Sequence, residues 1–250
     1  MRLALLLSVA LATPAFAISG NAPPASGFAA QAIVMIVDSR GGFCTGTAIA
    51  HDLVLTAAHC VARQATYRVR ISKEGGVTEV ETTRSHPGFS MANYVANRAT
   101  ADVALVKLKA ALPSSIVPAS LGGTRRVAVG ETMIVAGFGS TQDGKEQGIG
   151  EPRMAPLVVT GQPGSLQIRL QDPATRNAGV GLGSCTGDSG GPAFGRKGAE
   201  DGEVMGVVSW STAPKNEAGC GGLTGLTPLL NYRTWIVDTA MKLGSSLETP

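Results

Sequence analysis

Short β-rich runs recur along this chain, separated by Gly, Pro, Asp and Asn. They fall at residues 32–37, 45–50, 53–57, 67–72, 77–83 and 103–108, then at 132–136, 154–160, 165–170, 192–195, 204–209 and 223–229. Runs of four to eight residues bounded by turn formers read as strands, and many of them at this spacing predict an all-β barrel or sandwich. The interval 112–127, with Pro113, Pro118 and Gly122-Gly123, reads as a linker between two sets of strands. Residues 57–61 read as one short helical turn. Towards the end, Ile236, Val237, Ala240 and Leu243 share one helix face, and Gly244 is a stop signal. Residues 21–27, rich in Pro and Ala, predict an extended surface lead-in, and residues 245–250 a frayed tail. No repeat beyond this two-set symmetry and no low-complexity tract is visible.

The first seventeen residues do not fit that pattern. Arg2, the apolar stretch 3–11 and Ala15-Phe16-Ala17 form the sequence of a secretory signal peptide, too short to span a bilayer. No later segment is long and apolar enough to cross a membrane. The mature chain, residues 18–250, then has room for one compact unit or two small barrels sharing a core. Formal net charge is +3, and +2 once Arg2 is removed. No basic stripe accompanies it, which excludes nucleic-acid binding. Arg125-Arg126, an adjacent basic pair, reads as part of a solvated linker. Export makes the four cysteines a disulfide framework of two bridges with three pairings open. Local spacing favours Cys44–Cys60, which leaves Cys185–Cys220. Zinc is disfavoured because these cysteines are scattered and His59 has other work.

Three short motifs carry the chemistry. In Gly187-Asp188-Ser189-Gly190-Gly191-Pro192, glycines around a serine permit backbone turns that aim N–H groups at one point beside its hydroxyl. A serine hydroxyl needs an adjacent base, and His59 in Leu55-Thr56-Ala57-Ala58-His59-Cys60 can take and return a proton near working pH. The imidazole in turn needs a fixed acceptor. Asp102, immediately before the apolar run from Val103, is a carboxylate too costly to bury without a partner. His86 reads as structural and His51 as solvent-facing.

With these motifs in the order His, Asp, Ser, the chain resembles the chymotrypsin/trypsin family of serine endopeptidases over nearly its whole mature length, in the form of a bacterial-type secreted member without a propeptide. The resemblance implies two antiparallel six-stranded β-barrels packed together with a short C-terminal helix. The first barrel would span about residues 28–112, the linker 113–127, the second barrel 128–230 and the helix 231–243. It implies a triad of His59, Asp102 and Ser189 acting by the established acyl-enzyme mechanism. Backbone N–H groups of Gly187 and Ser189 would form the oxyanion hole, and the hydroxyl of Ser209 would support Asp102. The same two disulfides, Cys44–Cys60 and Cys185–Cys220, are implied.

Signal cleavage after Ala17 would expose Ile18 directly, 26 residues before Cys44, the spacing at which the family's new ammonium pairs with the acid beside the serine, here Asp188. Ser19 and Asn21 depart from the family's Ile-Val-Gly-Gly, and Phe138 replaces its Trp in Gly137-Phe138-Gly139. Where tryptic members carry a pocket-floor aspartate, this chain has Gly183, followed by Ser184. Ser211 and Thr224 stand where wall glycines are usual, which predicts small or aliphatic P1 residues, with Lys215 and Glu217 read as solvated charges on a long 212–219 loop. The peptide would lie along Ser209, Trp210 and Ser211 as an added strand. No cofactor and no metal are implied. Partners are protein or peptide substrates and proteinaceous inhibitors, with no nucleic acid and no membrane after signal removal. The expected form is a monomer, secreted or periplasmic.

Overall fold

The strand runs seen in the sequence become thirteen strands in a computed structural model that describes residues 18–72, 75–162, 164–196 and 202–247. The expected signal peptide, residues 1–17, lies outside the described residues. Strands β1 (Ile33–Asp38), β2 (Phe43–Ala50), β3 (Leu53–Thr56), β4 (Tyr67–Arg70), β5 (Val77–Ser85) and β6 (Ala104–Leu108) close into an antiparallel barrel of order β1-β2-β3-β6-β5-β4. The short strand β7 (Ser120–Leu121) follows. A second ring is formed by β8 (Thr132–Gly137), β9 (Arg153–Gly161), β10 (Ile168–Gln171), β11 (Pro192–Arg196), β12 (Gly202–Ser211) and β13 (Thr224–Pro228). It runs β11-β8-β9-β10-β13-β12 and closes through the β11–β12 pairing. The two six-stranded barrels expected from the sequence are therefore present.

Period-two alternation sorts the strand residues between two buried faces. In β1, Val34 and Ile36 point into the first barrel with Val54, Val69 and Val106. Their neighbours Ile33 and Met35 pack outward into a seam shared with Leu55, Leu105, Phe138, Phe194 and Val207. The interior of the second barrel is filled by Met133, Val135, Leu157, Leu170 and Leu226. Strands buried on both faces read as continuous apolar runs, which is why these segments looked unbroken in the sequence. Helix α3 (Arg233–Lys242) covers the seam with Ile236 and Ala240. No helix among the described residues is long and apolar enough to cross a membrane.

Three features differ from expectation. The stretch 27–32, placed between lead-in and strand, is a one-and-a-half-turn helix, α1 (Gly27–Ala32), whose Ala29 and Ala32 are buried in the seam. Within the expected linker, Ser120 and Leu121 pair in parallel with Glu203 and Val204. The expected frayed tail is anchored at its start: Ser245 is buried and accepts a hydrogen bond from the Lys107 ammonium at 2.9 Å, and Leu247 packs on the core. Residues 248–250 lie outside the described residues.

Candidate active site

The register of the first barrel brings His59 and Asp102 together. Antiparallel pairing sets Thr56 opposite Ala104. His59 lies three residues beyond Thr56, in the short 3-10 turn Ala58–Cys60, and Asp102 lies two residues before Ala104, so both sit at the same end of one ladder. The Asp102 side chain is 1 % exposed and accepts from three donors. Its Oδ1 accepts the His59 backbone N–H at 2.9 Å, and its Oδ2 accepts His59 Nδ1–H at 2.8 Å and the Ser209 hydroxyl at 2.6 Å. A carboxylate that only accepts fixes the imidazole proton on Nδ1, which leaves Nε2 as the acceptor.

Ser209 reaches Asp102 because β12 carries an extra residue there. Val208 pairs with Leu226 and Trp210 with Gly225, so Ser209 is the unpaired residue of a bulge. Bulges beside active sites re-aim side chains in this way.

Ser189 comes from the tight turn before β11 and is docked on the first barrel, where its carbonyl accepts the Thr45 N–H at 2.8 Å. Its hydroxyl makes no hydrogen bond to His59, but both line one cavity of about 400 Å³. Catalytic hydrogen bonds are often long before substrate binds. In the same turn, the amides of Asp188, Gly190 and Gly191 donate to the carbonyls of Cys185, Val208 and Asp188. Those of Gly187 and Ser189 donate to no group among the described residues. Two amide donors beside the hydroxyl are thereby left for a ligand. Gly187, at φ +96°, must lack a side chain, since a Cβ would overlap the Phe43 ring.

Asp188 points away from the cavity and is fully buried. Its carboxylate accepts from Gly139 N–H and Cys185 N–H, both at 2.8 Å. Gly139 is glycine because a Cβ would lie 2.6 Å from the Asp188 Cγ. Burial nevertheless pushes the Asp188 pKa up to about 7, against the pull of those two donors. Ile18 is buried among the side chains of the second barrel, and Ser19 bridges to Gly183. No ion pair joins Ile18 to Asp188 among the described residues. In the full chain the Ile18 nitrogen is an uncharged amide after Ala17, so it cannot supply one. Ile18 sits at φ +53°, a region that a β-branched residue occupies only under constraint.

Both disulfides form as expected, Cys44–Cys60 and Cys185–Cys220. Of the pocket residues anticipated, Ser184, Ser209, Trp210 and Ser211 line the cavity. Gly183 and Thr224 lie behind that lining. The Thr224 hydroxyl is turned back to accept the Ser184 N–H at 2.9 Å and lies 3.1 Å from the Ser184 hydroxyl. Gly183 is covered by Gly221, whose Cα would lie 3.2 Å from a Cβ at position 183. Ser211 donates its hydroxyl to the Gly219 carbonyl at the mouth. Lys215 lines neither this cavity nor the groove beside it, and Glu217 lines only the groove.

The residue missed from sequence is Tyr94, on the short helix α2 (Met91–Val95). Its ring stacks on His59 with centroids 4.3 Å apart and planes 14° from parallel, and its hydroxyl donates to the Ser209 carbonyl at 3.4 Å. Burial, then the Asp102 charge, raises its pKa to about 12, so the phenol stays neutral. His86, read as structural, sits edge-on to Tyr232 and Trp235 and accepts the Gly88 N–H on Nδ1. His51 is exposed.

Comparison with known proteins gives the class first: the fold and the sequence are those of a serine endopeptidase of chymotrypsin type. The family model described as Trypsin matches residues 18–236, and the chain belongs to that family. It is 28% identical over 219 residues to snake venom serine protease rhinocerase 4 of Bitis rhinoceros, covering 82% of this chain and 81% of that protein. It is 29% identical over 211 residues to Trypsin I-P1 of Gallus gallus, covering 79% of each. A solved mutant of human heparin binding protein (CAP37) shares the fold at TM-score 0.70 and 21% identity, over 89% of this chain and 96% of that one.

Proposed function

We propose that the protein is a secreted or periplasmic endopeptidase that cleaves peptide bonds through an acyl-enzyme on Ser189. His59 takes the Ser189 proton on Nε2 as the hydroxyl attacks the scissile carbonyl, then returns it to the leaving amine. Asp102, held by three donors, keeps the Nδ1 proton in place and stabilises the imidazolium that forms. The Gly187 and Ser189 amides receive the developing oxyanion, each such donor being worth about 10²–10³ in rate. The observation that carries this reading is the pair of unused amides beside a serine that shares its cavity with an oriented imidazole.

Substrate binds extended along Ser209, Trp210 and Ser211, with its P1 side chain in the cavity beside Ser184. The Thr224–Ser184 hydrogen bond and the covered Gly183 support a pocket with no charge at its Ser184 end, suited to small or aliphatic P1 residues. Export agrees with two disulfides, which persist in oxidising compartments. Cleavage before Ile18 creates an ammonium that pairs with Asp188 and locks the Ser189 turn. The reading is supported by a buried carboxylate with no cation beside it and by the buried, constrained Ile18.

The test is Ser189→Ala. The variant is expected to fold and to lose nearly all peptidase activity and all labelling by a fluorophosphonate. Turnover close to wild type from a folded Ser189→Ala protein would sink the assignment.

A further inference from the structure

Beside the catalytic cavity lies a larger groove of about 650 Å³. The two are continuous, because Tyr94, Ser209, Trp210 and Ser211 line both. Three segments wall the groove: the stretch after α2, the start of β10, and the long loop after β12. Its lining is partly apolar, including Leu166, 36% exposed, and Val95, 73% exposed.

The charges on these walls are unbalanced. Arg98 and Arg169 both line the groove, both are exposed, and neither side chain has an ion-pair or hydrogen-bond partner among the described residues. The other arginine or lysine side chains near a carboxylate, such as Arg68, Lys107 and Arg125, are paired. Glu217 is the single acidic residue of the lining. Two guanidiniums without a partner among the described residues, in a lining that also carries apolar side chains, suit a peptide that brings a carboxylate.

We infer that this groove selects substrates with Asp or Glu three to five residues before the scissile bond. The inference rests on the proposed cleavage at Ser189 and on the peptide pairing along β12. Three residues of that edge, Ser209 to Ser211, engage the three residues that precede the bond. At about 3.3 Å per residue, the next positions pass over Trp210 into the groove that both arginines line. The substrate class is therefore a chain with a small or aliphatic P1 and an acidic stretch just upstream.

The experiment compares hexapeptide substrates that share the best P1 residue and differ only at P3, P4 or P5, carrying Glu, Gln or Lys. The readout is the ratio of kcat/KM within one enzyme preparation, which is independent of how much of it is active. Glu is expected to exceed Gln by about three- to tenfold at low salt, the range of one or two exposed ion pairs. The excess should shrink as ionic strength rises. The Arg98→Gln/Arg169→Gln double variant should bring the ratio near one, and Glu217→Gln should raise it. Equal rates on Glu and Gln peptides by an enzyme that labels with a fluorophosphonate would overturn the groove assignment alone. A protein that neither labels nor cleaves any peptide would overturn the Ser189 reading and the groove assignment with it.

Discussion

Tyr94 lies face to face with the imidazole of His59, and its role follows from contact area more than from its hydroxyl. The hydroxyl bond to the Ser209 carbonyl is long at 3.4 Å, whereas the ring contact is close and nearly parallel. Aromatic pairs of this kind contribute about 0.5–1.5 kcal/mol beyond area burial. Tyr94→Ala is therefore expected to lower kcat/KM by about two- to tenfold, a loss appearing mainly in kcat, and Tyr94→Phe to stay within about twofold. Steady-state kinetics on one peptide, with thermal melts to confirm folding, decide it; a Phe variant as impaired as Ala would shift the role to the hydroxyl. At this scale the sequence is most legible where function is local. Ser189, Gly187 and Asp188 announce themselves in six contiguous residues, as His59 does beside Cys60. Tyr94 and Arg98 carry no such context. Their neighbours are distant in sequence and come together only when the segment after Phe89 folds back over the cleft.

The strands were legible because both faces of most of them are buried, giving apolar runs that survive without an alignment. The elements missed are those whose stability is borrowed. Strand β7 has two residues held by β12, and helices α1 and α2 are too short to stand alone. The bulge at Ser209 was likewise invisible, since one extra residue leaves no mark on an apolar run. The hairpin β12–β13 shows what such details decide. With Thr224 opposite Ser211, its hydroxyl accepts from the backbone N–H and hydroxyl of Ser184, so the Ser184 side chain that lines the cavity is already hydrogen-bonded. A P1 Arg or Lys would be desolvated there without a carboxylate partner. Ala, Val or Leu would instead gain about 0.8 kcal/mol per buried CH₂. Peptides differing only at P1 are expected to favour these residues over Arg and Lys by about tenfold or more in kcat/KM, about 1.4 kcal/mol of transition-state binding. A tenfold preference for the basic residues would refute the uncharged pocket end, and Glu217 would then be the first residue to replace.

For the whole molecule, the two barrels meet at a seam that carries His59 and Asp102 on one side and Ser189 on the other, and the proposed pairing of the chain start with Asp188 would set how firmly the second side is held. The sequence suggests this start through the signal-like leader and the spacing to Cys44, but carries no sign of the energetic cost of a buried Asp188 before the ammonium exists. Its folded pKa of about 7 lies above its ordinary value of 3.8. Between about pH 4 and 7 the folded full chain therefore holds a proton that the unfolded chain has released, and stability falls as pH rises through that window, by up to about 1.4 kcal/mol per pH unit. A chain beginning at Ile18 reverses the sign. Its ammonium holds the carboxylate ionised, so the pair's contribution is present above the carboxylate's unfolded value and is lost as pH falls. It is lost again at alkaline pH, as the ammonium deprotonates. Urea midpoints of the two forms, both carrying Ser189→Ala to prevent self-cleavage, should diverge between pH 4 and 7, and Asp188→Asn should abolish the divergence. Parallel curves for the two chain lengths would mean that Ile18 and Asp188 do not communicate.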